Sequence, residues 1–240
     1  MNSYRNMSAD RKAAVWIGVL YIIGTVVLVL SAVVTDAVLS GRAYLAQVAA
    51  EPNRMAVGAL LVLVAGLALA LVPVVFWPIG KRHNETLAVG YIVFRGALET
   101  IFYLGIALAW LVLIALSKEP DAGPLAHFVR TTQTVISSQL LAIPFVLGAL
   151  MFYVVLYQYR LVPRWLSIWA LVGAALYLVA PIGAMFGLSL DVFMGPLAVQ
   201  EMVMAVWLIA RGFNSPAIAA GSAGETSRWP AAAPSTVSAT

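Results

Sequence analysis

The stretch GYIVFRGALETIFYLG, residues 90–105, decides the fold class of this chain because it has the apolar character of a membrane-spanning helix. It nevertheless contains Arg95 and Glu99, two opposite charges four residues apart. Side chains at that spacing lie on the same face of a helix. An unpaired charge at the centre of a membrane helix costs about 2.5–3.5 kcal/mol on the insertion scale, so both side chains need a partner, protonation or access to water.

The composition of the whole chain indicates the same environment. Of the 240 residues, 62% are hydrophobic and 10% are charged, whereas a soluble domain has about 25% charged residues. We therefore expect an integral membrane protein whose surroundings are the lipid bilayer. The net charge of +4 does not indicate nucleic acid as a partner, because the basic residues flank the apolar runs. The absence of Cys excludes disulfides and thiolate chemistry.

Six apolar segments approach or exceed the roughly 20 helical residues that cross a hydrocarbon core. They cover residues 13–35, 55–78, 87–116, 135–157, 166–188 and 192–210. We therefore predict an all-α fold, a bundle of six transmembrane helices over residues 11–213. A short cytoplasmic N-terminus (residues 1–10) precedes it, and a disordered tail (residues 214–240) rich in Ala, Ser, Pro and Thr follows it.

The distribution of Lys and Arg predicts the orientation of the bundle. With the N-terminus inside, the inner flanks hold nine of these residues and the outer loops hold four. The positive-inside rule then places both termini in the cytoplasm.

A third intramembrane charge lies in the last segment. Glu201 is about 15 Å along the helix from either end, too far for its short side chain to reach water, and Gln200 stands beside it. The depth of Arg95 is open. If the inner end of the third segment protrudes, Arg95 extends to the interface; if the helix enters the core near residue 87, Arg95 is about 12 Å deep and can pair with Glu201.

Two interpretations of these charges follow. In the first, Arg95, Glu99, Gln200 and Glu201 form a site that binds or moves a small polar or lipid-like ligand, or relays protons. In the second, the charges are structural and fix the register of the helices, and the protein is a non-catalytic assembly or interaction subunit. A cavity that reaches Glu201 favours the first interpretation, and a dry, closed ion pair favours the second.

Several kinds of chemistry have no support in the sequence. The only histidines are His83 and His127, both in predicted loops, which argues against intramembrane haem and zinc sites. No lysine lies within a predicted span, and neither phosphate-binding glycine motif is present. We expect no catalytic residue, metal or cofactor. The oligomeric state is left open by the sequence.

Five stretches of the chain resemble one family of membrane proteins. They are RKAAVWIGVLYIIGTV, YLAQVAAEPNRMAVGALL, GYIVFRGALETIFYLG, LYQYRLVPRWLSIWALVGAAL and PLAVQEMVMAVWLIARGF, within residues 11–213. The sequence is thereby similar to the prokaryotic integral membrane proteins labelled domain of unknown function 4386. The most specific pieces are FRxxxE, here Phe94, Arg95 and Glu99, and QE, here Gln200 and Glu201. The resemblance implies a six-helix domain in a prokaryotic cytoplasmic membrane and supplies no substrate.

Overall fold

The computed structural model describes residues 7–214 and 216–217, and their regular secondary structure is helical throughout. Most of the predicted tail and of the N-terminal segment lies outside the described residues. The helices are α1 (Ala9–Leu39), α2 (Tyr44–Ala50), α3 (Pro52–His83), α4 (Glu85–Leu116), α5 (Gly123–Gln158), α6 (Arg164–Met185) and α7 (Gly195–Ala210), the last preceded by a 3₁₀ turn (Asp191–Met194). All but α2 belong to segments long and apolar enough to cross a membrane. The predicted six-helix, all-α fold is confirmed, and the chain is a multi-pass membrane protein.

Local sequence signals set the ends of these helices. The Ser8 side chain accepts a hydrogen bond from the backbone N–H of Arg11 and so caps α1. Asn84 separates α3 from α4 and caps α4 by accepting from Leu87 N. Pro52 begins α3, where its missing N–H costs nothing. Short connections of this kind make consecutive helices antiparallel neighbours.

Most helix ends lie within five residues of those predicted, and two of the differences have a clear local cause. Helix α5 begins at Gly123, well before the apolar segment 135–157, because its first turns are amphipathic and bury Ala126 and Gln133 while exposing polar residues. Helix α6 ends at Met185 and not at residue 188. There Gly187 adopts the left-handed conformation (φ 78°), and the N–H of Leu188 bonds back to Gly183 O, which terminates the helix.

The six long helices form a closed ring. Each packs against the next one along the chain, and α7 packs against α1. The α1–α7 contact is close because Gly18 has no side chain: a Cβ there would lie 2.5 Å from Ala205 O. Small residues at such positions let membrane helices approach each other. The interior of the ring is where intramembrane polar side chains can find partners.

Two polar contacts fasten the ring at one end. The Arg11 guanidinium of α1 donates to the carbonyl oxygens of Leu208 (2.7 Å), Ile209 and Ala210, the last residues of α7. Carbonyls in the last turn of a helix lack part of their intrahelical donors, so a cation is favourable there. The Leu208 carbonyl also accepts from Gly212 N (3.1 Å). Asp10 pairs with Arg82 at the end of α3 (3.2 Å). The N-terminus of α1 and the C-termini of α3 and α7 therefore lie at the same end of the bundle.

Candidate functional site

The helix that carries two of the predicted site residues is irregular at that place. Within α4, residues Ile92–Leu98 form a π-helical segment, the geometry in which an N–H bonds to the carbonyl five residues earlier, as Glu99 N does to Phe94 O. Arg95 lies inside this segment and Glu99 directly follows it. Single π turns inside α-helices occur frequently at functional sites. The wider turn presents both side chains to the interior of the ring.

Arg95 lies inside the bundle and does not extend to the interface. Its side chain is 1% exposed. Its Nε is 3.6 Å from Glu99 Oε2, and its Nη2 is 3.5 Å from Glu201 Oε1 on α7. One guanidinium therefore stands between two carboxyl groups from different helices, at separations longer than the 2.7–2.9 Å typical of charge-assisted hydrogen bonds. We call Arg95, Glu99 and Glu201 the charged centre.

Aromatic rings hold the guanidinium from two further helices. The Arg95 Cζ atom is 4.5 Å from the ring centroid of Phe145 on α5 and 5.3 Å from that of Tyr21 on α1. Cations within about 6 Å of an aromatic face are attracted to it. Helix α5 comes close enough because Gly148 faces Arg95: a Cβ on Gly148 would lie 2.8 Å from Arg95 N. The backbone approach and the ring contact together fix the position of Arg95.

Each carboxyl group accepts a hydrogen bond from a buried tyrosine. Tyr103 donates to Glu99 Oε1 (3.2 Å) from one turn further along α4. Tyr153 of α5 donates to Glu201 Oε1 (3.1 Å). Both carboxylates are thus oriented by a hydroxyl as well as by the guanidinium. Buried charges need such additional hydrogen bonds, because ion pairing alone rarely repays their loss of hydration.

A cavity of about 170 Å³ reaches the charged centre. Its polar lining consists of Arg95, Glu99 and Glu201 with Thr25, Tyr103 and Tyr177, and apolar side chains of α1, α3, α5 and α7 complete it. Its lining also includes Val29 of α1 and Ala198 of α7, which are exposed on the outside of the bundle. The cavity therefore extends from the charged centre to the surface that faces hydrocarbon in a membrane.

The charged centre keeps hydrogen-bonding capacity that the protein does not use. Arg95 Nη1 and Glu99 Oε2 are buried and have no hydrogen-bond partner. A guanidinium N–H is a donor, and an ionised carboxylate oxygen is an acceptor. The arrangement can therefore both donate to and accept from one small polar group. Within the described residues, no cluster of three or more His, Asp or Glu side chains is placed to hold a metal ion.

Gln200 does not join the charged centre. It is fully buried, and its Nε2 donates to Leu166 O on α6 (3.3 Å), while its Oε1 has no hydrogen-bond partner. Adjacent residues of an α-helix point about 100° apart, so Gln200 and Glu201 face different neighbours. The structure therefore brings together three of the four predicted site residues.

The tyrosines and Phe145 around the charged centre were not predicted from the sequence. The contact of Tyr103 with Glu99 could have been predicted, since the two residues are four positions apart and such pairs meet on one face of a helix. For Tyr153 the sequence indicates only that a tyrosine hydroxyl buried in a membrane helix needs a hydrogen-bond partner, and it does not name Glu201. Nothing local to Phe145 or Tyr21 indicates a contact with Arg95, because both belong to other helices.

Comparison with known proteins assigns the family. No curated protein and no solved structure matches the chain. The family model described as Domain of unknown function (DUF4386) matches residues 16–212, which include all three residues of the charged centre. The match covers most of the chain, and the resemblance seen in the sequence is confirmed. The protein belongs to the DUF4386 family.

Proposed function

We propose that this membrane protein binds a small polar or lipid-like ligand whose polar group enters the charged centre. One observation carries the proposal: Arg95, Glu99 and Glu201 line the inner end of a cavity that opens on the outside of the bundle. Ionisable side chains in membrane helices are costly, and they mark ligand or ion sites more often than not. The ligand reaches the site from the bilayer, because the mouth of the cavity lies on the lipid-facing surface.

The chemistry of the site favours a ligand that donates hydrogen bonds. One guanidinium faces two carboxyl groups, so acceptor oxygens outnumber cations. An ammonium or hydroxyl group can donate to Glu99 Oε2, which pairs with Arg95 Nε at 3.6 Å and makes no hydrogen bond, and a hydroxyl also accepts from Arg95 Nη1. An additional carboxylate in the ligand is opposed by two like charges. We therefore propose an amine or alcohol on an apolar chain.

Thermal unfolding of the purified protein in phosphatidylcholine nanodiscs tests this proposal. The probes are dodecylamine, dodecan-1-ol and dodecanoic acid, which share one chain and differ in the polar end. At about ten times Kd, a ligand stabilises by about 1.4 kcal/mol, which corresponds to a rise in Tm of about 3–6 °C for a domain of this size. We expect that rise with the amine or the alcohol and not with the acid.

A matched pair of variants locates the binding. Ala198→Phe places a ring at the mouth of the cavity and leaves the three residues of the charged centre unchanged. Val199→Phe adds the same ring at the next position, which is 55% exposed and does not line the cavity. We expect Ala198→Phe to abolish the ligand-induced rise in Tm and Val199→Phe to retain it. Equal responses in the two variants would show that the amphiphiles act through the bilayer.

A second candidate is a structural network in an assembly or interaction subunit. The observation in its favour is that each carboxyl group has both the guanidinium and a tyrosine hydroxyl as partners. This candidate predicts that none of the three probes changes Tm and that Ala198→Phe raises Tm by filling space. Such a result would replace the ligand-binding proposal with the structural one.

A further inference from the structure

A second and larger cavity shares no lining residue with the cavity at the charged centre. Its volume is about 510 Å³, and it lies where the α5–α6 turn meets the segment after α7. Asn214 holds these two segments together, because its N–H donates to Leu161 O (2.8 Å) and its side chain donates to Arg160 O (3.3 Å). The same end carries the predicted cytoplasmic positive charges.

Three arginines line this cavity, and none of them forms an ion pair with a described Asp or Glu. Arg160, Arg164 and Arg211 line it, and the described residues of the lining include neither Asp nor Glu. The ion pairs of the described part of the chain involve Arg54, Arg82 and Arg95 instead. Three like charges around one space repel each other, and an anion in that space removes the repulsion. The cavity therefore has the electrostatics of an anion site.

The backbone at Arg160 is an independent indication. Arg160 has a positive φ of 51°, unlike any other non-glycine residue in the described part of the chain. It follows the end of α5, where Leu161 N bonds back to Leu156 O, and a helix that ends in this way usually has glycine at the left-handed position. An arginine here carries a conformational cost that glycine avoids. Retained strain of this kind points to a use for the side chain.

The walls of the cavity indicate what kind of anion it takes. Leu161, Val162 and Phe213 supply buried apolar surface beneath the arginines. Trp207 also lines the cavity, and Trp165 packs against it edge to face with ring centroids 6.3 Å apart. Tryptophan is enriched at the depth of the lipid headgroups. The arginines and the apolar wall together suit a molecule with an anionic head group and a hydrocarbon tail.

We propose that this cavity binds the phosphate group of an anionic membrane lipid. Arginine forms paired hydrogen bonds to phosphate oxygens, and basic pockets between membrane helices bind anionic headgroups. A free phosphate shares the headgroup chemistry but has no tail for the apolar wall. The site is separate from the Arg95 centre, so either proposal can fail without the other.

Lipid titration of the full-length protein in maltoside detergent tests the proposal, with Tm and native mass spectrometry as readouts. The probes are phosphatidylglycerol, phosphatidylcholine and inorganic phosphate at equal concentration. We expect phosphatidylglycerol to raise Tm and to remain bound in the mass spectrum, and the other two to do neither. A full response to inorganic phosphate would overturn the lipid as the source, and no response to any probe would overturn the site.

The variant Arg160→Gly distinguishes an effect on lipid binding from an effect on folding. Glycine accepts the positive φ, so we expect the variant to fold at least as stably as the wild type. Loss of one charge-assisted contact should nevertheless weaken binding, so that the half-saturating phosphatidylglycerol concentration rises about tenfold. An unchanged response in this variant contradicts the proposal.

A charge-matched control excludes general attraction to the anionic lipid. The test variant carries Gln at Arg160, Arg164 and Arg211, and the control carries Gln at Arg42, Arg54 and Lys118. Both lose three positive charges, and none of the control positions lines the cavity. We expect only the first variant to lose phosphatidylglycerol retention in the mass spectrum. Equal loss in both would show that net charge, and not this cavity, retains the lipid.

Discussion

The pairing of Arg95 with Glu201 across the bundle makes the sharpest prediction. At the observed Nη2–Oε1 distance of 3.5 Å, Coulomb's law with an effective dielectric constant of about 20 gives about 5 kcal/mol of attraction. The measurable coupling is smaller, because Glu99 is at a similar distance (3.6 Å) and remains as a partner when Glu201 is changed. We expect a coupling free energy of about 1–3 kcal/mol.

The single changes should differ in size. Arg95→Met leaves two buried carboxyl groups without their shared counter-charge, and breaking a buried pair in this way costs about 3–5 kcal/mol. Glu201→Gln leaves Arg95 with Glu99, and we expect about 1–2 kcal/mol. For a protein of this size, these costs correspond to falls in Tm of about 6–20 °C and 2–8 °C. The double variant should lose less than the two falls combined.

Thermal unfolding in detergent, followed by the fluorescence of the seven tryptophans, measures all four members of this cycle. A control cycle combines Arg95→Met with Val199→Ala, since Val199 is exposed on the outer face of α7. The control effects should add. If the Arg95 and Glu201 effects also add within about 0.5 kcal/mol, the two side chains are not partners and the charged centre does not exist as described.

Three further predictions concern the packing, the ring closure and the orientation. Gly148→Ala forces α5 away from the backbone of α4 and should cost about 1–3 kcal/mol in a Tm measurement, whereas Gly105→Ala, where the nearest atom would be 3.8 Å away, should be nearly neutral. Arg11→Met removes the side-chain donor to the carbonyls of Ile209 and Ala210, and it should speed hydrogen exchange near the end of α7 while lowering stability by about 1–3 kcal/mol; unchanged exchange contradicts the proposed closure. A maleimide that does not cross membranes should label Ser40→Cys and not Glu85→Cys in intact cells, and the reverse pattern would invert the predicted orientation.

The helices themselves were predictable because each follows from a local property of the chain. Length and hydropathy place the six spans, and the structure shifts their ends by only a few residues in most cases. The early start of α5 was missed because its first turns are amphipathic and polar, so hydropathy gives no signal there. The end of α6 was missed for a similar reason, because hydropathy does not show that Gly187 adopts the left-handed conformation.

The candidate site was predictable in its members and not in its arrangement. The free-energy cost of placing a charge in the bilayer singles out Arg95, Glu99 and Glu201 as side chains that need partners. The sequence left two depths open for Arg95, because depth depends on how far α4 extends beyond the hydrocarbon. Gln200 shared the signal of its neighbour but faces another helix.

The lipid environment, the number of spans and the presence of charges that must be neutralised follow from the sequence alone, since they depend on hydrophobicity and length. Only the tertiary structure decided which charges meet. The π-helical segment, the close approach at Gly148 and the return of α7 to α1 bring Arg95 and Glu201 together from positions more than 100 residues apart. Contacts of that kind depend on the packing of whole helices, and no local pattern in either segment encodes them.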